Sequence, residues 1–324
     1  MADKPHLLVV EEITDRMREQ LEGSFTLHYA SLKDDFDALI ADKGDLIEAI
    51  VTNGADGTPE TLVANLPNLK MISNTGVGYD STNVALASSR GIVVTHTPDV
   101  LNEEVATTAL MLLLSVARRL LPSHRWVTSG KWETAGNIEY SRTVDGMKVG
   151  IVGLGRIGNA IARKLEAFSC DIAYHTRNER PDSPYRYYGN LVEMARDVTC
   201  IIVITPGGPS THHLITKDVL DALGSDGILV NVARGSVVDE DALVAALQEG
   251  RLGHAGLDVF DKEPQVPAVL FDMDQVVLTP HIGSATHETR QAMGDLTTEN
   301  AVRYFAGEPV LTAVPECADL KKSL

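Results

Sequence analysis

Cysteine is scarce in this chain, positive charge is outnumbered, and no apolar run is long. The three cysteines, Cys170, Cys200 and Cys317, include no CxxC pair. This excludes a disulfide scaffold and fits reduced thiols in a cytoplasmic protein. Lys and Arg total 28 against 45 Asp and Glu, a formal net charge of -17. Phosphate backbones repel so acidic a surface, so no nucleic-acid partner is expected. The most apolar run, Val105–Ala117, is interrupted by Thr107, Thr108 and Ser115. It falls short of the ~20 apolar residues of a membrane span, and no membrane association is expected. The opening MADKPHLLVVEE turns acidic too soon for a signal peptide, and the final KKSL is not the peroxisomal SKL order. There is no internal repeat or low-complexity segment, and no metal site is expected.

What remains is an ordinary globular composition, 44% hydrophobic and 23% charged, which excludes a disordered chain. At roughly 150 residues per domain, 324 residues suggest two domains. Short β-branched runs at 7–10, 49–52, 70–73, 92–95, 148–152, 171–175, 200–204, 227–232, 254–258 and 276–279 alternate with helical patterns such as 156–168, 239–248 and 288–305. That alternation predicts an α/β protein with parallel sheets covered by helices on both faces. The polar segment 129–145, without periodicity, reads as a loop leading from an apolar helix into a new strand; the first hundred residues read as one small doubly wound unit and roughly 100–286 as a second. A helix over 105–121 is too apolar for a solvent face, which predicts burial between domains or subunits.

The sharpest local signal is the strand Val149-Gly150-Ile151-Val152 followed by Gly153-Leu154-Gly155-Arg156-Ile157-Gly158 and a helix. GxGxxG in a strand–turn–helix setting predicts a dinucleotide site. The first glycine permits the tight turn, the second lets backbone approach the pyrophosphate, and the third lets helix pack on strand. The helix N-terminus adds N–H groups and partial positive charge. An NAD site usually ends the next strand with an acid for the ribose hydroxyls. Here the tip reads Tyr174-His175-Thr176-Arg177, with Glu179 past the expected place. Thr176 and Arg177 suit a 2′-phosphate, so NADP is favoured, with NAD still possible; the plain alternative for Arg177 is a solvated surface charge.

Three further stretches follow late strands: Asn231-Val232-Ala233-Arg234-Gly235, Leu257-Asp258-Val259-Phe260 leading to Glu263-Pro264, and Thr279-Pro280-His281-Ile282-Gly283. Ligands of open parallel sheets bind beyond the carboxyl ends of strands, so Arg234, Glu263 and His281 are candidates for one cleft. Each alone also reads as a surface charge, a turn acid or a structural histidine.

Together with NTGVGYDSTNV, GKW, VGIVGLGRIGNAIARKLEAF, LVNVARGSVVDEDALVAAL, GLDVFDKEP and TPHIGSAT, these stretches make the sequence resemble the D-isomer-specific 2-hydroxyacid dehydrogenase family over nearly its whole length. Through HTRN and PGGPSTHHLI it looks most like the glyoxylate/hydroxypyruvate reductase branch. The resemblance implies two doubly wound (Rossmann/flavodoxin-like) domains, with a cofactor domain, residues 102–286, inserted in a substrate domain of 1–101 plus 287–324. It implies that His281 protonates the carbonyl oxygen as hydride arrives. Glu263 fixes the imidazole tautomer and favours its protonated form, and Arg234 grips the 2-keto acid. Backbone amides near Val77 and Gly78 complete the carboxylate site. Leu154, Arg156 and Ile157 meet the pyrophosphate, while His175, Thr176 and Arg177 form the adenosine end. Thr205, Pro206 and Thr211 run along the dinucleotide. Val232, Ala233 and the Arg234 backbone lie at the nicotinamide ribose, with Asp258, His281 and Gly283 nearby. The family's formate dehydrogenases carry glutamine at the position of Glu263, and its longer phosphoglycerate dehydrogenases extend beyond the last helix, so both are disfavoured. Thr107 stands where many relatives have an acid.

The expected activity is NADPH-dependent reduction of glyoxylate or hydroxypyruvate. Phenylpyruvate or hydroxyphenylpyruvate is the bulkier alternative, and a dinucleotide-sensing corepressor is a remote one. The resemblance further implies a homodimer joined through the 105–121 helix, against burial between the chain's own domains.

Overall fold

The structure, a computed structural model, describes residues 4–10, 12–31, 36–54 and 56–320. The outermost parts of the N-terminal stretch and the final KKSL lie outside the described residues. The chain divides into two units, Met1–Leu101 with Thr286–Leu324, and Asn102–Ala285.

Unit 1 runs β1 (His6–Val10), α1 (Asp15–Ser24), β2 (Thr26–Ala30), α2 (Phe36–Lys43), β3 (Ile47–Asn53), α3 (Glu60–Asn65), β4 (Met71–Thr75), α4 (Val84–Ser89) and β5 (Val93–Thr95). All pairings are parallel, in the order β2-β1-β3-β4-β5, the flavodoxin-like order. Side chains alternate between faces along a strand, so continuous apolar runs serve two cores. Leu8 and Val10 join Ile50, Ile72 and Val94 in one. Leu7 and Val9 join Ala49, Val51 and Met71 in the other.

Unit 2 runs α5 (Asn102–Ala117), α6 (Leu120–Thr128), α7 (Lys131–Ala135), β6 (Lys148–Val152), α8 (Arg156–Glu166), β7 (Asp171–His175), β8 (Arg186–Tyr187), α9 (Leu191–Asp197), β9 (Cys200–Val203), α10 (Lys217–Leu223), β10 (Ile228–Asn231), α11 (Glu240–Gln248), β11 (His254–Leu257) and β12 (Val276–Leu278). Its parallel sheet has the order β12-β11-β10-β9-β6-β7-β8. Strand order reverses at β6, whose neighbours are β7 and β9. Such a switch point opens a crevice at the carboxyl ends of the strands. The glycine turn leaves β6 at that point.

The last helix, α12 (His287–Phe305), packs in unit 1 against α1 and β4. Arg16 and Gln20 reach Asp295 at 2.7 and 2.9 Å, and Ser73 Oγ donates to the Thr297 carbonyl at 2.9 Å. Gly294 makes the approach possible, because a Cβ there would stand 2.8 Å from Met17 Cγ.

Three local expectations change. The helix expected over 105–121 breaks after Ala117: Arg119 adopts a left-handed φ of 51 and α6 starts at Leu120. The apolar run is consumed within unit 2, where α5 buries Val105, Ala109, Leu112, Leu113 and Val116. Gly256 of β11 lets it close in, for a Cβ there would lie 3.0 Å from Leu112 Cβ. The helix is therefore apolar because it covers its own unit's sheet, and neither a second subunit nor a second domain is needed to explain it. The loop read over 129–145 contains α7, between Gly130 and Gly136. None of its residues is buried, so it left no periodic signal. β2 and β8 also escaped the reading, since each is an edge strand with an irregular burial pattern. Among the described residues no single helix is long and apolar enough to cross a membrane; α5 and α6 pass only as a pair bent by 57°.

Candidate active site

The turn after β6 fits a pyrophosphate for steric reasons. Gly153 has φ 105, and a Cβ there would lie 2.8 Å from the Ile204 carbonyl oxygen. At Gly158 a Cβ would fall 2.1 Å from the Gly153 oxygen, so helix–strand packing requires glycine. At Gly155 it would meet nothing within 4 Å, leaving open space beside the turn. Gly155 also offers α8 no side-chain cap. The helix thus begins with uncapped N–H groups and its positive dipole end, a preformed anion cradle.

The tip of β7 is tied by hydrogen bonds. His175 Nδ1 donates to the Tyr188 carbonyl at 2.8 Å, and since a carbonyl only accepts, this nitrogen carries the proton. Thr176 Oγ1 donates to the Asn178 carbonyl at 2.7 Å. Arg177 is exposed and reaches Ser210 Oγ at 3.3 Å. Ser210 lies in the PGGPSTHHLI loop, but its pairing with Arg177, 33 residues away, could not be read from the sequence. In that loop Thr211 Oγ1 donates to the Pro206 carbonyl at 2.7 Å, and Thr205 is half-buried.

Arg234, Glu263 and His281 follow β10, β11 and β12. The backbone at Arg234 is held by Asn231, whose Nδ2 donates to the Arg234 carbonyl at 3.0 Å while its Oδ1 accepts from Ala233 N–H. Val232 and Ala233 are buried. At Gly235 a Cβ would stand 1.9 Å from the Phe260 carbonyl carbon, so the Arg234 loop lies directly on the chain leading to Glu263. His281 Nδ1 and Glu263 Oε2 are 2.7 Å apart, and Glu263 Oε1 accepts from Phe260 N–H at 3.0 Å. Burial raises the Glu263 pKa, but hydrogen bonds from His281 and Phe260 and the charges of His281 and Arg234 outweigh it. The net value lies below the usual one, and the group is a carboxylate at neutral pH.

Asp258 is 2% exposed and braces the His281 turn. Its Oδ1 accepts from Thr279 Oγ1 and Ile282 N–H at 2.7 and 2.8 Å, and its Oδ2 from Gly283 N–H at 2.9 Å. Burial raises its pKa against those bonds. The brace holds His281 at φ 52, an unfavourable conformation for a non-glycine residue that surrounding contacts must impose. Reading the sequence for chemistry missed this role, since nothing in the spacing tells a ligand-facing acid from a turn-bracing one. Val77 and Gly78 lie in unit 1, half-buried in the loop after β4.

The residues 110–283 match the D-isomer specific 2-hydroxyacid dehydrogenase, NAD binding domain. The chain is 42% identical over 308 residues to glyoxylate/hydroxypyruvate reductase A of Arabidopsis thaliana, covering 95% of this chain and 98% of the relative. It is 45% identical over 280 residues to hydroxyphenylpyruvate reductase of Plectranthus scutellarioides, covering 86% and 88%. The crystal structure of the NADPH-dependent glyoxylate/hydroxypyruvate reductase of Sinorhizobium meliloti with NADP and malonate superposes with a TM-score of 0.92 at 45% identity, covering 97% and 98%. With this much of its length in common with these proteins, the chain belongs to the D-isomer-specific 2-hydroxyacid dehydrogenase family, in its glyoxylate/hydroxypyruvate reductase branch.

Proposed function

We propose that this protein uses NADPH to reduce small 2-keto acids, glyoxylate and hydroxypyruvate, to D-2-hydroxy acids. The observation that carries the reading is the His281–Glu263 pair at 2.7 Å beyond the carboxyl ends of β11 and β12. Bound NADPH supplies the hydride that reaches the keto carbon. Glu263 occupies Nδ1 of His281, which leaves Nε2 to deliver the proton to the carbonyl oxygen. Arg234 holds the keto acid's carboxylate and carbonyl oxygens and favours negative charge on the latter, and the Val77 and Gly78 amides bind the carboxylate.

For the cofactor, the 153–158 turn takes the pyrophosphate, and Thr176 and Arg177 take the 2′-phosphate. Thr205, Pro206 and Thr211 lie along the dinucleotide; Val232, Ala233, Asp258 and Gly283 lie toward the nicotinamide. Purified protein assayed with graded keto acids against NADPH and NADH tests this. Glyoxylate and hydroxypyruvate with NADPH are expected to give the highest kcat/KM, and a preference for NADH refutes the cofactor assignment. The Plectranthus relative favours a second reading, reduction of an aryl pyruvate, and a higher kcat/KM for hydroxyphenylpyruvate selects it.

The same reading includes a homodimer. Leu120, Val127 and Trp132 of α6 and α7 are 55%, 55% and 61% exposed, an apolar surface suited to a second copy. Light scattering at twice the chain mass supports it, and a monomer excludes it. The cysteines are all free thiols, which supports a reducing compartment such as the cytoplasm.

A further inference from the structure

The loop after β4 presents consecutive backbone N–H groups because its carbonyls are tied down. The Thr75 carbonyl accepts from Gly54 N–H at 3.3 Å, and the Gly76 carbonyl from Thr97 N–H at 2.8 Å. Asn74, 0% exposed, sends Nδ2 to the carbonyls of Gly76 and Gly78 at 3.3 and 3.0 Å. The remaining carbonyl, that of Val77, lies 3.0 Å from Nδ1 of His96. In a trans peptide the C=O and N–H point in opposite directions. Holding the Val77 carbonyl toward His96 therefore turns the Gly78 N–H away from it. Among the described residues neither Val77 N–H nor Gly78 N–H meets an acceptor.

His96 is itself placed by unit 1. Its N–H donates to the Thr312 carbonyl at 3.1 Å, and Thr312 Oγ1 returns a bond to the His96 carbonyl at 2.6 Å. Asn300 holds Thr312 in turn, at 2.8 Å through Nδ2 and at 3.1 Å through Oδ1. The Tyr79 ring meets the His96 ring edge-on, centroids 5.3 Å apart at 87°. These contacts set the ring against Val77, and because the carbonyl only accepts, Nδ1 carries the proton.

We infer that His96 is a positioning residue for substrate: its Nδ1–H fixes the Val77–Gly78 peptide so that the Gly78 N–H is set for the keto acid's carboxylate. This rests on the proposed carboxylate role of that peptide. The donor acts through the peptide, on the orientation of the Gly78 N–H. It serves ground state and transition state alike, so its loss raises KM and leaves kcat nearly unchanged.

Two substitutions separate the donor from the ring. His96→Asn places an amide nitrogen one bond from Cγ, where Nδ1 stands, and loses the ring. His96→Phe keeps a ring against Tyr79 and loses the donor. His96→Leu serves as the donor-free variant if His96→Phe does not fold. Steady-state kinetics with glyoxylate and NADPH, and competitive inhibition by malonate as a carboxylate probe, are read alongside the melting temperature. His96→Phe is expected to raise KM for glyoxylate and the malonate inhibition constant by about 5- to 10-fold, the usual scale of one neutral hydrogen bond. KM for NADPH stays unchanged, and His96→Asn stays near wild type. Equal impairment in both variants, or none in His96→Phe, overturns the inference while the functional reading stands. A wild-type protein that does not turn over glyoxylate overturns the reading itself and the inference with it.

Discussion

Glu263→Gln is the substitution whose consequence follows most directly from the geometry. The carboxylate accepts two hydrogen bonds, His281 Nδ1 at 2.7 Å on Oε2 and Phe260 N–H at 3.0 Å on Oε1. Glutamine has one acceptor oxygen. If it faces His281, the amide NH2 confronts Phe260 N–H; if it faces Phe260, the NH2 confronts the imidazole. The first orientation sets donor against donor; the second keeps both contacts only if the imidazole moves its proton to Nε2 and Nδ1 accepts, so either way the bond between a carboxylate and Nδ1–H is lost. Losing a hydrogen bond to a charged group costs about 1.5–3 kcal/mol, and at ~1.4 kcal/mol per decade this predicts a fall in kcat of roughly 10- to 100-fold.

Linkage adds a pH signature to the same substitution. Burial opposes ionisation of Glu263, but the His281 and Phe260 bonds and the neighbouring charges place its pKa below the ordinary 4.5. A carboxyl with a depressed folded pKa contributes stability that is complete above its ordinary value and is lost as pH falls through the folded value. The melting-temperature gap between wild type and Glu263→Gln is thus expected to be constant at neutral pH and to narrow below about pH 4.5. The assay is NADPH oxidation at saturating glyoxylate, with melting curves across pH. A kcat within twofold of wild type at all pH values refutes the reasoning, because the pair would then contribute nothing to proton delivery.

Other perturbations test other parts of the site. His281→Asn removes the proposed proton donor; kcat is expected to fall by about 100-fold or more while NADPH fluorescence still titrates, and near-normal turnover would exclude the assigned acid. Arg177→Ala should raise KM for NADPH about tenfold and leave KM for NADH unchanged, the size of one charge-assisted contact; equal effects on both cofactors would remove its role at the 2′-phosphate. Gly235→Ala drives a Cβ to within 1.9 Å of the Phe260 carbonyl carbon, and overpacking of that kind costs ~1–3 kcal/mol or more. A melting temperature lowered by at least several degrees is expected, and an unchanged one would show that the loop yields freely.

Much of the fold was legible because its causes are local. Ten of the twelve strands announced themselves by short apolar runs, and the dinucleotide turn by glycines whose necessity is steric: a positive φ at Gly153 and a helix–strand approach at Gly158 that admits no Cβ. What escaped had no local cause. β2 and β8 lie at sheet edges, where half-exposed strands need little apolar patterning. The break at Arg119 is the exception, because Pro122 in the first turn of α6 is a local mark of a helix start that the surrounding apolar run hid.

The candidate site divides in the same way. Arg234, Glu263 and His281 could be picked out singly from the positions that follow late strands, but their separation along the chain says nothing about which atoms meet. Adjacent parallel strands β10, β11 and β12 align the loops at one end of the sheet. That alignment, with Gly235 packed against the Phe260 backbone and Asp258 bracing the turn, brings Nδ1 of His281 onto Glu263. Backbone sterics act between neighbours in sequence and can be read there. Hydrogen bonds and packing act between neighbours in space, so the pairing of acid and imidazole, the brace beneath them and the burial of α5 against its own sheet belong to the tertiary structure alone.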